Sequence, residues 1–230
     1  LAAAIPVPGG IVNAAGGNLL VPRVDLSIET RLGRREVGAV YNSANDMWRW
    51  SFDIYYNGST LIDASGAEYQ TSGSLNGTLI SGSVWIKLDN TRIRSLGGLV
   101  HEFGAGGKLT AIHWESGDYP RLEYTSQWVA GALRPAHVRQ CRAVGECEDV
   151  YDVTYDSAGR VIEIQDRAGR RALFAYDGLG NLIQARDPLD MARGWDGFRY
   201  EYGWSRLLAI TNSEGERIEF DTTTVLGSVR

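Results

Sequence analysis

The sequence predicts an all-β protein made of short antiparallel hairpins that lie side by side in one strip. Three observations lead to this prediction. Turn signals recur about every ten residues, and the last third of the chain repeats a pattern of strand and turn residues. Apolar residues spaced as on one face of a helix are scarce. The chain of 230 residues is long enough to bury a core, as one large domain or two small ones.

The clearest strand prediction covers residues 48–56. Side chains alternate between the two faces of a strand, which places large apolar residues together on one face here: Trp48, Trp50, Phe52, Ile54 and Tyr56. So long an apolar row favours a buried core face over an exposed ligand platform. Asn57 and Gly58 then predict a hairpin turn, with a return strand over residues 59–62. A second hairpin is predicted over residues 84–94.

The repeat begins at residue 155. Residues 155–162 recur 21 positions later at residues 176–183, and a half-repeat turn lies between them at residues 166–169. A degenerate copy starts at Tyr202, and residues 103–124 have the spacing of another worn copy. Each unit therefore predicts two strands and two tight turns.

The turns share an aspartate placed three positions before a glycine. The aspartate side chain can accept hydrogen bonds from the turn amides, and the glycine can take the positive φ that closes the hairpin. The pairs are Asp63 with Gly66, Asp156 with Gly159, Asp166 with Gly169, and Asp177 with Gly180.

Strict alternation also predicts which face of the repeat strands is dry. The dry face would carry Ile162, Ile164, Phe174, Tyr176, Ile183 and Ala185. The wetter face would carry Glu163, Gln165, Arg171, Gln184 and Arg186, with Val161, Leu173 and Leu182 among them.

The net charge, the apolar runs and the cysteines argue against some classes of function and favour others. A net charge of −5 argues against nucleic-acid binding, and no apolar run approaches the roughly 20 residues of a membrane-spanning helix. Cys141 and Cys147 favour a disulfide across a short hairpin in an oxidising compartment; two free buried thiols are the alternative. With His137 they offer three zinc ligands, but a structural site needs a fourth, for which Glu146 or Asp149 would have to serve.

The repeat residues resemble the RHS or YD-repeat family, whose motif is Tyr-Asp, a short turn, Gly, then Arg or Asn and an aliphatic pair. The matching residues are Tyr155, Asp156, Gly159 and Arg160 in one copy, and Tyr176, Asp177, Gly180 and Asn181 in the next. Residues 12–19, 22–26 and 41–43 are similar to the segment that opens many RHS proteins. We therefore expect a leader or tail at residues 1–10, an RHS-type β region at 11–150 and YD repeats at 151–230.

The resemblance implies a curved open sheet or partial β-shell without catalytic function. It would be a wall segment that encapsulates or presents a toxin or effector domain, and the protein would be secreted or on the bacterial cell surface. About 20 strands at roughly 4.8 Å give a strip on the order of 100 Å long, enough for about one turn of such a shell. Expected partners are further repeat sequence of the same protein, a second copy paired at an edge strand, or an enclosed toxin domain. We expect no cofactor and no metal.

The sequence leaves two other classes of function open, carbohydrate binding and catalysis. A carbohydrate-binding or adhesion module would use exposed aromatic rings. The candidates are Trp195, within a predicted irregular segment at residues 191–203, and Trp204, directly after it. An enzyme would need a partnered base, and His101, His113 and His137 lie in no recognisable nucleophile motif. The glycine-rich residues 104–110 lack the first glycine and the Ser or Thr of a phosphate-binding loop. Asp187 and Pro188 superficially resemble a self-cleavage motif, but they end a repeat that another strand pair follows.

Overall fold

The computed structural model describes residues 4–7, 9–13 and 17–220. The strands are β1 Ala4–Val7, β2 Gly10–Asn13, β3 Leu19–Thr30, β4 Gly33–Asn42, β5 Met47–Trp50, β6 Tyr55–Tyr56, β7 Thr60–Ile62, β8 Glu68–Gln70, β9 Thr78–Leu79, β10 Trp85–Lys87, β11 Arg92–Ser95, β12 Leu99–Phe103, β13 Leu109–Trp114, β14 Arg121–Val129, β15 Ala132–Ala143, β16 Glu146–Tyr155, β17 Val161–Asp166, β18 Arg171–Tyr176, β19 Leu182–Arg186, β20 Phe198–Gly203, β21 Arg206–Thr211 and β22 Arg217–Glu219. A 3₁₀ turn spans Ala105–Gly107, and one short helix, α1, spans Pro188–Arg193.

The strands form three antiparallel sheets, which confirms the all-β prediction. Strands β9 to β22 follow one another in a single sheet of 14 strands, each paired with its neighbours in sequence. Strands β1 to β5 form a five-stranded sheet, and β6 to β8 form a small three-stranded sheet. The two predicted hairpins, at the turn of residues 57–58 and over residues 84–94, are both present, and their paired strands span residues 55–62 and 85–95.

The five-stranded sheet packs against one face of the long sheet, and aromatic side chains fill the boundary. The ring of Trp50 meets that of Phe174 edge-on, with their centroids 4.7 Å apart. Farther along, Phe52 lies 6.3 Å from Tyr151 between ring centroids. One face of the repeat strip is therefore covered by the amino-terminal part of the same chain.

The prediction of one continuous strand over residues 48–56 is wrong. Strand β5 ends at Trp50, a turn follows in which the Asp53 amide donates to the Trp50 carbonyl, and β6 then belongs to a different sheet. Phe52 and Ile54 nevertheless remain buried, at 3% and 8% exposure. The apolar row was correctly predicted as core because it lines the boundary between sheets even where the backbone breaks.

The predicted dry face is wrong at Ile183, which is 38% exposed, while Leu182 is 1% exposed. The register of β18 and β19 shifts by one residue next to Tyr176, so that Ile183 is an extra residue in its strand. The same shift occurs beside Tyr155, where Ile162 is the extra residue and Val161 becomes buried. A one-residue β-bulge moves side chains to the other face, and strict alternation cannot anticipate it.

Residues 191–203 are not irregular. Helix α1 ends there at Arg193 and strand β20 follows from Phe198. Asp187 caps the helix: its side chain accepts the amides of Leu189 and Asp190, and Pro188 occupies the first turn. The supposed cleavage motif is thus the start of a capped helix.

The predicted leader falls partly outside the described residues, which omit residues 1–3 and 8. Within it, Ala4–Val7 pairs with Gly10–Asn13 as a hairpin at the edge of the five-stranded sheet. In the described part of the chain no helix is long and apolar enough to cross a membrane.

Candidate functional site

The Asp-x-x-Gly turns have one repeated geometry. At the first, Asp156 Oδ1 accepts the amides of Ala158 and Arg160 at 3.0 and 2.9 Å. The Gly159 amide donates to the Asp156 carbonyl at 3.0 Å, and Gly159 has a φ of +80°. The aspartate therefore satisfies the turn amides while the glycine supplies the left-handed backbone.

The residue after each glycine completes the turn. The side chain of Arg160 donates to Asp156 Oδ2 at 2.7 Å, and Asn181 Nδ2 donates to Asp177 Oδ2 at 2.9 Å. Arg170 contacts Asp166 in the same way at 2.7 Å. The earlier turn at Asp63 shares the amide contacts, with the Ser65 and Ala67 amides donating to its Oδ1, and Gly66 has a φ of +80°.

These contacts fix the charge state of the turn carboxyls. Burial opposes ionisation of Asp156, but hydrogen bonds from the Arg160 amide and guanidinium hold its pKa below the ordinary value. The Asn181 amide group lowers the pKa of Asp177 in the same direction. Both carboxyls accept hydrogen bonds as carboxylates, which is the form that the turn needs.

The motif tyrosines link neighbouring strands through their hydroxyls. Tyr176 donates to the Val161 carbonyl at 2.9 Å, and Tyr202 donates to the Leu182 carbonyl at 2.8 Å. Val161 and Leu182 are the residues beside the two bulges, where the regular ladder is interrupted. Tyr155 makes the equivalent contact to Pro135 on β15. Each tyrosine thus satisfies a backbone acceptor on the strand that precedes its own.

The same register shift recurs outside the two clear motif copies. Phe103 pairs with Leu109 beside an extra residue, Thr110, and Tyr202 pairs with Leu207 beside Leu208. Leu109 and Leu207 are each 1% exposed, as Leu182 is. Both segments that the sequence singled out as worn copies therefore share the bulge geometry of the clear ones.

A buried ion pair joins the two large sheets. On β3, Arg23 holds Asp25 in two contacts, Nε to Oδ1 at 2.7 Å and Nη2 to Oδ2 at 3.1 Å. The Arg23 guanidinium carbon also lies 5.0 Å from the ring centroid of Phe174, and Nη1 donates to the Tyr200 hydroxyl at 3.3 Å. The Trp48 and Trp50 rings lie 5.1 and 5.5 Å away. We call this group the arginine cage.

Burial acts on both members of the ion pair. Burial lowers the pKa of Arg23, but Asp25 and Tyr200 outweigh it and hold that pKa above its ordinary value. Burial also raises the pKa of Asp25 above its ordinary value, and the adjoining guanidinium offsets only part of that rise. Local sequence does not predict this site, because Arg23 and Tyr200 are distant in the chain. The only local signal was an opposite-charge pair two positions apart, flanked by the apolar residues Pro22, Val24 and Leu26.

Cys141 and Cys147 face each other across β15 and β16 and form a disulfide. Their sulfur atoms are bonded to each other, so neither is a thiolate ligand in this state. His137 instead lies between two carboxylates, with Nε2 3.0 Å from Asp149 and Nδ1 against Asp152. The structure therefore does not gather His137 and the cysteines into one metal site.

The two candidate sugar-binding aromatics differ. Trp204 is 89% exposed at a turn and has a φ of +64°. Trp195 is half-buried, and the Arg193 guanidinium covers its ring at 4.6 Å from the centroid. The prediction that Trp195 is exposed is therefore wrong, because a neighbouring cation occupies the face that a sugar would need.

The histidines and the glycine-rich loop lie in structural settings. His101 is buried against the edge of Trp85, and His113 Nδ1 lies 2.9 Å from the Trp114 carbonyl. Within the glycine-rich loop, residues 105–107 form the 3₁₀ turn between β12 and β13, a strand-to-strand connection.

The segment that holds the two clear turns matches a known family of repeats. Residues 155–190, which hold both clear turns, match the family model of the RHS repeat. The chain contains an RHS repeat. No curated protein matches the sequence.

Several solved structures are similar to the chain. The crystal structure of TcdB2-TccC3-TEV matches at 16% identity and a TM-score of 0.35, over 88% of this chain and 11% of that one. TcdB2-TccC3 matches at 17% identity and a TM-score of 0.34, again over 88% and 11%. The Tc holotoxin pore of Photorhabdus luminescens matches at 10% identity and a TM-score of 0.28, over 88% and 14%. This chain thus spans about a tenth of the length of the chains in the first two structures.

Proposed function

We propose that this chain is a non-catalytic wall segment of an RHS-type shell, which encapsulates or presents a toxin or effector domain. The observation that carries the proposal is the uninterrupted sheet of 14 strands, in which each strand pairs with its neighbours in sequence. Such a sheet extends by adding hairpins, and the RHS repeat at residues 155–190 is one of its units.

The hydrogen bonding between repeats supports a structural role over a catalytic one. The polar groups of the motif are used within the wall: aspartates hold turn amides, and tyrosine hydroxyls hold bulge carbonyls. The disulfide between Cys141 and Cys147 suits a protein that works in an oxidising compartment, as secreted and surface proteins do.

The covered face limits where an enclosed domain would lie. Between β16 and β21 one face of the wall is occupied by the chain's own five-stranded sheet, through contacts of Trp50 with Phe174 and of Trp48 with Tyr200. An enclosed domain would therefore contact other parts of the shell.

Limited proteolysis of the complete polypeptide that carries this chain tests encapsulation. We expect the segment beyond the repeats to resist protease in the native protein, and to be cut once Phe174→Ala loosens the packing of the wall. Equal cleavage rates with intact and loosened wall would contradict encapsulation. So would a complete polypeptide with no further domain.

One observation favours a second candidate, a carbohydrate-binding module: the fully accessible indole of Trp204. A glycan array with the wild-type chain and Trp204→Ala separates the two. Binding that is lost in the variant would favour the module, and absence of binding would favour the wall.

A further inference from the structure

The edge of the five-stranded sheet has unused backbone groups. Strand β5 ends the strand order and pairs with β4 alone among the described residues. The Ser51 amide donates to the Gly38 carbonyl. Hydrogen-bonded pairs alternate along an antiparallel ladder, so the backbone amides and carbonyls of residues 49 and 47 also point towards β4. The amides of Trp48 and Trp50 and the Trp48 carbonyl therefore point away from β4.

A groove runs along this edge. It encloses about 260 Å³ between β5 and the ends of the repeat strands. Met47 and Trp48 form one wall, and Tyr155, Tyr176 and Arg134 lie on the repeat side. We call it the β5 groove.

Among the charged side chains that line the β5 groove, one cation has no carboxylate partner in the described part of the chain. Asp53 lies 3.9 Å from Lys108, Asp46 lies 3.8 Å from Arg206, and Arg160 is bound to Asp156. Arg134 has no such carboxylate, and its buried Nε has no hydrogen-bond partner within the described part of the chain. An unpaired guanidinium beside free backbone donors is a setting for a carboxylate.

The ring faces in the groove argue against a sugar there. The Arg134 guanidinium lies 5.9 Å from the ring centroid of Tyr155, and that of Arg160 lies 4.9 Å from Tyr176. Both rings already have cations above them, so they do not present free stacking faces.

We propose that the β5 groove binds an extended peptide segment with an acidic side chain. The segment adds a strand to β5 through the backbone of Trp48 and Trp50, and its carboxylate meets Arg134. This is strand addition to a sheet edge, in which the main chain supplies affinity and one side chain supplies specificity. The inference does not depend on the proposed wall function.

The probe is the peptide Thr-Val-Asp-Val-Thr-amide with fluorescein coupled to its amino terminus, titrated with the full chain and followed by fluorescence anisotropy. Two further peptides serve as ligand controls: one with Asn in place of Asp, and one N-methylated at alternate amides. We expect the Asn peptide to bind about tenfold more weakly, since one charge-assisted contact contributes about 1.4 kcal/mol. The N-methylated peptide should not bind, because it cannot pair with the strand edge.

Variants locate the site. Arg134→Gln should remove the preference for Asp over Asn, and Arg134→Lys should retain part of it. Arg139→Gln is the matched control on the same strand, because Arg139 pairs with Glu123 and does not line the β5 groove. Circular dichroism verifies that each variant is folded. If Arg134→Gln does not fold, Arg134→Lys still tests whether Arg134 sets the preference for Asp over Asn.

Several results would overturn the proposal. They are equal binding of the Asp and Asn peptides, unchanged binding of the N-methylated peptide, and no binding up to millimolar concentration. Self-association of the chain that competes with the peptide would assign the edge to a second copy instead.

Discussion

At the residue scale, the tyrosine hydroxyl is the group that links one strand of the repeat to the next. Tyr176→Phe removes only the donor to the Val161 carbonyl and leaves the ring in place. We expect the free energy of unfolding to fall by about 1–3 kcal/mol, since a partly buried acceptor loses its partner. Tyr55→Phe is the control, because the Tyr55 hydroxyl accepts from the exposed side chain of Asn57. Equal unfolding midpoints for both variants in urea would show that the hydroxyl is not a link.

The buried side chain of His101 makes stability depend on pH. Burial, together with the nearby charge of Arg35 and against a hydrogen bond to the Leu99 carbonyl, lowers the pKa of His101 to about 4. The unfolded chain, with an ordinary pKa of about 6.5, therefore takes up the proton first as the pH falls. The contribution of His101 is fully present above pH 6.5 and is lost as the pH falls towards 4, by at most about 3 kcal/mol.

Urea titrations at several pH values check this expectation. His101→Gln should flatten the loss of stability between pH 6.5 and 4, whereas His137→Gln, which changes a more exposed ring, should keep it. A wild-type slope in the His101 variant would contradict the assignment.

At the element scale, the hairpin depends on the left-handed glycine of its turn. Gly159 has a φ of +80°, and a Cβ built there would lie 2.8 Å from Arg134 Nε. Gly159→Val should cost about 1–2 kcal/mol from the backbone alone. Gly178→Ala in the equivalent turn is the control, because Gly178 has no positive φ and nothing within 4 Å of a Cβ. Similar urea midpoints for the two variants would contradict the turn assignment.

The elements also show what local sequence can predict. The turns at Asp156 and Asp177 were predictable because aspartate and glycine act within five residues of backbone. The burial of Leu182 in place of Ile183 was not predictable from local sequence, because the bulge depends on how β18 and β19 pair. The break after Trp50 was not predictable either, since both halves of that segment are apolar and buried. The amino-terminal cover on the repeat strip depends on contacts between Trp50 and Phe174, which no local pattern reveals.

At the scale of the whole molecule, the arginine cage couples the two large sheets. Arg23 and Asp25 lie on β3, while Phe174 and Tyr200 belong to the long sheet. Arg23→Met would leave the Asp25 carboxylate buried without its partner, which should cost about 3–5 kcal/mol. The double variant Arg23→Met with Asp25→Val removes both charges and should recover most of that loss, because a buried pair often contributes little net stability over apolar packing.

Arg142→Ala is the control for this cycle, because its partner Glu146 and its own side chain are largely exposed. It should change stability by less than about 1 kcal/mol. Tryptophan fluorescence, which reports on the boundary at Trp48 and Trp50, and far-ultraviolet circular dichroism, which reports on the strands, should follow one urea transition in the wild type. If the fluorescence change preceded the loss of strand signal in the wild type, the two sheets would be separate folding units. The cage would then be only a contact between them.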